Sequence, residues 1–112
     1  MESILTSIKK LLGITEEYAH FDNDIILHIN AAFMSLHQLG IGPAEGFSIS
    51  SDEQTWSDFI SDSTKFEAVK IYIYIKVKLV FDPPTSSFVM DALNRQAQEY
   101  EWRLNVQAET EV

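Results

Sequence analysis

The stretch "KIYIYIKVKLVFDPPTSSF", residues 70–88, decides how this chain folds. Ile71, Ile73, Ile75, Val77, Leu79 and Phe81 alternate with Tyr72, Tyr74, Lys76, Lys78 and Val80. That is the period of a half-buried β-strand. Three features of the surrounding sequence select a helix instead. Thr64-x-x-Glu67 has the form of a capping box, just upstream of the alternating run. Phe66, Val69, Ile73, Val77 and Val80 follow one another in steps of three and four, so the apolar stripe begins before the alternation does. Finally, no second β-rich run and no Asn-Gly or Asp-Gly turn offers a partner strand, and a lone strand leaves its backbone groups unpaired. The spacing therefore predicts one long helix from Lys65 to Phe81. Its β-branched residues lower its intrinsic propensity, so packing must hold it.

Asp82-Pro83-Pro84 ends that helix, because a residue before proline is disfavoured in helical geometry. Thr85, Ser86 and Ser87 then offer caps for a last helix over about 87–105. Val89, Leu93, Ala97, Tyr100 and Leu104 line one of its faces, and Asp91/Arg95 and Glu99/Arg103 are spaced as ion pairs. The acidic tail, 106–112, is expected to fray.

Upstream, Ile4, Leu5, Ile8, Leu11 and Leu12 predict a short helix from Glu2 to Leu12, opened by Glu2 or Ser3 and closed by Gly13. Asp22, Asn23 and Asp24 supply an N-cap for a second helix. Its apolar positions are Ile25, Ile26, Ile29, Ala32, Phe33, Leu36 and Leu39, and Gly40 ends it. Residues 40–51, rich in glycine and serine, read as a loop in which Phe47 and Ile49 either pack down or contact a partner. Ser51 to Gln54 has the form of a capping box for a short helix carrying Trp56, Phe59 and Ile60. The expected architecture is all-α: a small bundle of four to five helices in a single domain, 1–112.

Composition narrows the function. An apolar fraction of 46% in 112 residues supports one modest core and argues against disorder. There is no cysteine, which removes disulfides and thiolate metal sites. Eight basic residues face seventeen acidic ones, a net charge of −9, with the basic residues scattered; specific nucleic-acid binding is disfavoured. The first residues do not form a signal peptide, and no run reaches the ~20 apolar residues that span a bilayer.

Catalytic motifs are not evident. His28 and His37 on the second helix do not have the i,i+4 spacing of a zinc pair, and His20 lies in no carboxylate motif. Asp22 and Asp24 lack the glycine and terminal glutamate of a calcium loop. No Gly-x-Ser-x-Gly or phosphate loop occurs. Neither a cofactor nor a metal is expected. The large aromatics Trp56, Tyr72, Tyr74 and Trp102 belong either to the core or to an interface, where such residues are enriched. A long helix that is apolar around most of its circumference needs cover on several sides, which favours oligomerisation. A small dimeric regulatory protein, recognisable by a closed two-fold assembly, is the alternative; an unidentified metal enzyme or hydrolase is a weaker one.

The run "KIYIYIKVKLVFDPPTSSFVMDALNRQAQEYEWRLN" carries a resemblance. Its marks are "FDPP" (Phe81–Pro84), "TSS" (Thr85–Ser87) and "EWRLN" (Glu101–Asn105). Earlier come "LLGI" (Leu11–Ile14), the spacing Asp22, Ile25, Ile29, and "QLGIG" (Gln38–Gly42). In these the chain resembles the small helical head–tail connector proteins, or neck adaptors, of long-tailed bacteriophages and prophages. Residues 43–62 carry little of the likeness. The resemblance implies an all-α subunit without enzyme activity or cofactor. It implies a subunit that joins a ring, dodecameric in the virion, beneath the portal protein; the charge of −9 is also what would keep a free subunit monomeric before docking. That ring would close the DNA-filled head and receive a stopper or the tail, while DNA passes through its channel without specific binding. The expected place is the virion neck, after assembly in the bacterial host cytoplasm. For subunit or portal contacts the candidates are Tyr72, Tyr74, Tyr100, Trp102, Arg103 and Leu104. Trp102 and Arg103 are favoured because they lie off the core stripe of the last helix.

Overall fold

The computed structural model describes the backbone of residues 3–60 and 63–110, and the side chains of residues 3–60 and 66–106. The described chain is all-α: α1 (Ile4–Leu12), α2 (Asp22–Gln38), α3 (Trp56–Phe59), α4 (Ser63–Phe81) and α5 (Ser87–Thr110). The alternating run is helix α4, and no described residue belongs to a strand. A single antiparallel bridge, Ser3 to Thr55, ties the start of α1 to the start of α3.

α4 buries Val69, Tyr72, Ile73, Ile75 and Val77. At 100° per residue these side chains occupy more than half of its circumference, so no single neighbour can cover them. α2 and α5 therefore both pack along α4, and α1 packs on α4 and α2. Ile71, which a strand would place beside Ile73, turns partly outward; Val80, at the end of the expected stripe, is exposed.

The direction of the helices follows from contacts at their ends. Phe21, just before α2, meets Phe81 at the end of α4 edge-on, with ring centroids 5.4 Å apart. At the other end, Asn105 of α5 donates to the carbonyl of Leu39, just past α2, at 3.3 Å. α2 and α5 thus run in the same direction, and α4 runs against both. α4 closes as expected: the Asp82 amide donates to the Lys78 carbonyl at 3.0 Å, and the prolines that follow have no amide to continue the series. Ser86 opens α5, its hydroxyl accepting from the Val89 amide at 3.4 Å.

Of the two openings expected for α1, Ser3 is the cap, its hydroxyl accepting from the Thr6 amide, and the helix ends on Gly13 at φ 81° as expected. Other local expectations are corrected. In α2, Asp22, Asn23 and Asp24 are not caps. They form the first turn after Phe21, and Asp22 instead reaches Lys9, 2.8 Å away. The box at Ser51–Gln54 makes a turn: the side-chain Oε1 of Gln54 accepts from the amides of Ser50 and Ser51, each at 3.2 Å. The helix begins later, where Thr55 and Asp58 form the real capping box. α4 starts at Ser63, so Thr64 lies inside the helix rather than at its cap, and its side chain is outside the described residues. α5 is longer than expected, continuing past Asn105 to Thr110. Of the two expected pairs on α5, Glu99–Arg103 closes, at 2.6 Å.

The loop after α2 is packed. Phe47 sits edge-on to Phe33 and Phe59, with centroids 5.0 and 5.3 Å away. Asn30 clamps Ile49 by both backbone groups: the Ile49 amide donates to Oδ1 at 2.7 Å, and Nδ2 donates to the Ile49 carbonyl at 2.9 Å. Gly42 lets the loop pass Phe59 closely, with φ at +91°.

Candidate functional site

The residues singled out in the sequence divide by burial. Tyr72 is fully enclosed, and its hydroxyl donates to a carboxylate oxygen of Glu101 on α5 at 2.7 Å. Burial first, and then the bond to and charge of Glu101, push its phenol well above the usual tyrosine range, against a lowering hydrogen bond with Ser35. Ile49 and Leu104 are also core residues. All three are buried within the folded subunit, Ile49 under the clamp of Asn30. Tyr74, Tyr100 and Phe47 are half-buried and pack against the core.

Trp102 and Arg103 are exposed, Trp102 by 67%. α5 turns its core stripe, Leu93, Ala97, Tyr100 and Leu104, towards α4, so Trp102 faces the opposite way. Phe88, 75% exposed, Arg95 and Val106 lie on that same outward line.

Two exposed apolar groups were not singled out. On α2, Leu27 and Met34, each 65% exposed, flank Ala31. With Asn30, Ser35 and Gln38 they line a shallow, largely apolar groove. The signal was present as a second apolar line, 27, 31 and 34, beside the core line of α2. At the turn between α4 and α5, Val80, Phe88 and Val89 stand out, and so do Tyr18 and Phe21, the latter against Phe81 at the end of α4.

No catalytic constellation forms among the described residues. His20 and His37 are exposed, and His37 Nε2 lies 2.9 Å from the Ala44 carbonyl, which accepts from it. No group of three or more histidine, aspartate or glutamate side chains converges as metal ligands among the described residues. No described helix is long and apolar enough to cross a membrane.

The subunit thus encloses its own core and sets several large apolar side chains, Trp102, Leu27 and Met34 among them, on outward helix faces. The chain belongs to the phage connector protein family, whose model matches residues 4–111, and its role is structural, at the junction of head and tail. No curated protein and no solved structure gives a significant match.

Proposed function

We propose that this chain is a ring-forming adaptor of the virion neck. Copies assemble beneath the portal protein, twelve in the virion, help to close the DNA-filled head, and provide the platform for a stopper or tail completion protein. Before docking, the subunit is a monomer in the host cytoplasm. The reading is supported chiefly by the outward line of α5, where Trp102 stands on the side away from the core in a chain of the connector family. Trp102 and Arg103 are the residues assigned to contact outside the subunit, with Tyr74, Tyr100 and Phe47 able to contribute only their exposed edges. The net charge of −9 suits a channel wall from which DNA is repelled, so carboxylates are expected to line the lumen.

Electron microscopy of the protein mixed with portal tests the proposal. Rings seated coaxially on one end of the portal are the expected result. A closed two-fold dimer that ignores the portal would overturn it and favour a regulatory protein instead. Salt provides a second check. Screening over about 8–10 Å at 0.1–0.15 M should weaken repulsion between acidic subunits and promote self-association in sedimentation. Rings that dissolve on adding salt would contradict this.

A further inference from the structure

The segment between α1 and α2 is exposed throughout residues 15–21, yet it carries three aromatic rings. Tyr18, His20 and Phe21 meet one another with ring centroids 4.7, 5.9 and 6.1 Å apart. Phe21 in turn meets Phe81 at the end of α4, at 5.4 Å. The four rings form one continuous ridge. We propose that this ridge is the seat for an arginine- or lysine-bearing segment of the portal protein. The inference rests on the ring reading, which supplies the portal as the partner, and names the surface that meets it.

The ridge is fixed before any partner arrives. Lys9 of α1, itself buried, grips the segment at two points. Its ammonium donates to the Glu16 carbonyl at 3.0 Å and pairs with the Asp22 carboxylate at 2.8 Å. Those two points bracket Tyr18, His20 and Phe21. Two turns shape the chain there: the Tyr18 amide donates to the Thr15 carbonyl at 3.1 Å, and the Asp22 amide to the Ala19 carbonyl at 3.2 Å. A surface already ordered in the free subunit loses less freedom on binding. Exposed aromatic rings gathered on such a surface are the composition of a contact site.

Charge selects the occupant. Nine of the seventeen carboxylates and none of the eight lysines and arginines lie in residues 11–64, so this stretch carries the whole net charge of −9. It contains the segment of the ridge. Glu16 and Glu17, both exposed, stand in that segment, and Asp82 follows Phe81. Aromatic faces attract a cation, and carboxylates nearby add to the attraction. A guanidinium or ammonium group on its apolar stem therefore suits the ridge better than a purely apolar segment does. A second copy of this chain has less to offer. Residues 1–10 and 65–112 together are electrically balanced, and two of their cations, Lys78 and Arg103, are already paired with Asp82 and Glu99.

Binding of the full chain to immobilised portal, at constant salt, tests the proposal. Tyr18 is the ring to vary, because it is 50% exposed and its loss empties no core. Tyr18→Phe keeps the ring and should bind as the wild type does. Tyr18→Leu keeps apolar bulk without the ring, and should bind about tenfold more weakly. Glu17→Lys, which reverses a charge in the segment, should also bind more weakly. All three variants should melt at the wild-type temperature when free. Wild-type affinity in Tyr18→Leu overturns the proposal, since a purely apolar contact would tolerate that change. If Tyr18→Leu binds portal normally but no longer closes rings, the ridge meets a second copy, and the proposal is equally overturned. In both cases the connector reading survives, because the wild type still docks. If the wild type does not bind portal at all, the connector reading fails and the proposal falls with it.

Discussion

Tyr72 on α4 donates its hydroxyl hydrogen to Glu101 on α5, 2.7 Å away, from a position with no exposed surface. Its other neighbour there is Ser35 of α2. One phenol thus sits where three helices meet and fixes the level at which α2, α4 and α5 stand. A buried hydroxyl needs a partner, and this one is given a carboxylate, which makes a stronger acceptor than a neutral group.

The same contact predicts an alkaline limit on stability. The neutral phenol is the form that the fold favours, and burial with a carboxylate beside it raises the folded pKa above the unfolded value near 10. Below pH ~10 both states hold the proton, and the contribution is fully present. Above it the unfolded chain loses the proton first, so stability falls as pH rises, by up to about 1.4 kcal/mol per pH unit from this group. Thermal melts between pH 9 and 11 should show the decline, as rough bounds around the free phenol value. Tyr72→Phe should flatten it. At neutral pH that variant should cost about 1–2 kcal/mol, because Glu101 loses its donor. An alkaline profile unchanged in Tyr72→Phe would refute the assignment.

Trp56 makes a comparable bond across the sequence. Its indole Nε1 donates to the Ser7 hydroxyl at 2.9 Å, and that hydroxyl donates to the Ile4 carbonyl at 2.9 Å. Ser7→Ala would leave a buried indole N–H without an acceptor, at a cost of about 1–3 kcal/mol in urea unfolding. Trp56→Ala should cost more, about 3–5 kcal/mol, because it also empties the space beside Phe33. Near-equal losses for the two variants would mean that the ring packs poorly.

Gly42 is the one loop position where both backbone and space demand glycine. Its φ is +91°, and a methyl group there would lie 2.5 Å from Cε1 of Phe59. Phe59 is itself wedged against Phe33 and Phe47, so it has little room to retreat. Gly42→Ala should destabilise the protein by about 2 kcal/mol or more. Gly40→Ala, with the same backbone sign but open space, should cost less. Equal effects would show that backbone strain alone is at work.

The fold was legible where a pattern was long. The stripe of Phe66, Val69, Ile73 and Val77 outran the alternation at Ile71 to Val77, which settled α4 as a helix. Short motifs were less informative. Ser51-x-x-Gln54 and Thr55-x-x-Asp58 both have the form of a capping box, yet only the second has a helix behind it, because Trp56 and Phe59 there can reach the core. The extension of α5 had a negative sign: no glycine or proline follows Asn105. The surface was harder to read. Tyr72 and Tyr74 look alike in sequence, but two helical positions apart they point in nearly opposite directions, and only the placement of α2 and α5 shows which is enclosed. Lys9 is the clearest surprise, since its burial depends on Asp22 and Glu16, neither of them in its own helix.

Lys9 is only 2% exposed, and its ammonium group contacts Asp22 at 2.8 Å and donates to the Glu16 carbonyl at 3.0 Å. It ties α1 to the first turn of α2, across the segment that joins them. A buried ammonium is costly unless it is paired, so removing the partner should hurt more than removing the charge itself. Asp22→Ala leaves the ammonium buried with one neutral acceptor and should cost about 3 kcal/mol. Lys9→Met keeps the apolar stem and removes the buried charge; Asp22 Oδ1, which faces Lys9, is left buried, while the rest of that carboxylate keeps its access to water. It should cost less than half as much. The double variant should then be no worse than Asp22→Ala alone, because the charge that Asp22 neutralises is gone. Chemical denaturation of the three proteins measures the coupling directly. If the two single losses simply add in the double variant, the pair is not coupled, and α1 is held to α2 by packing alone.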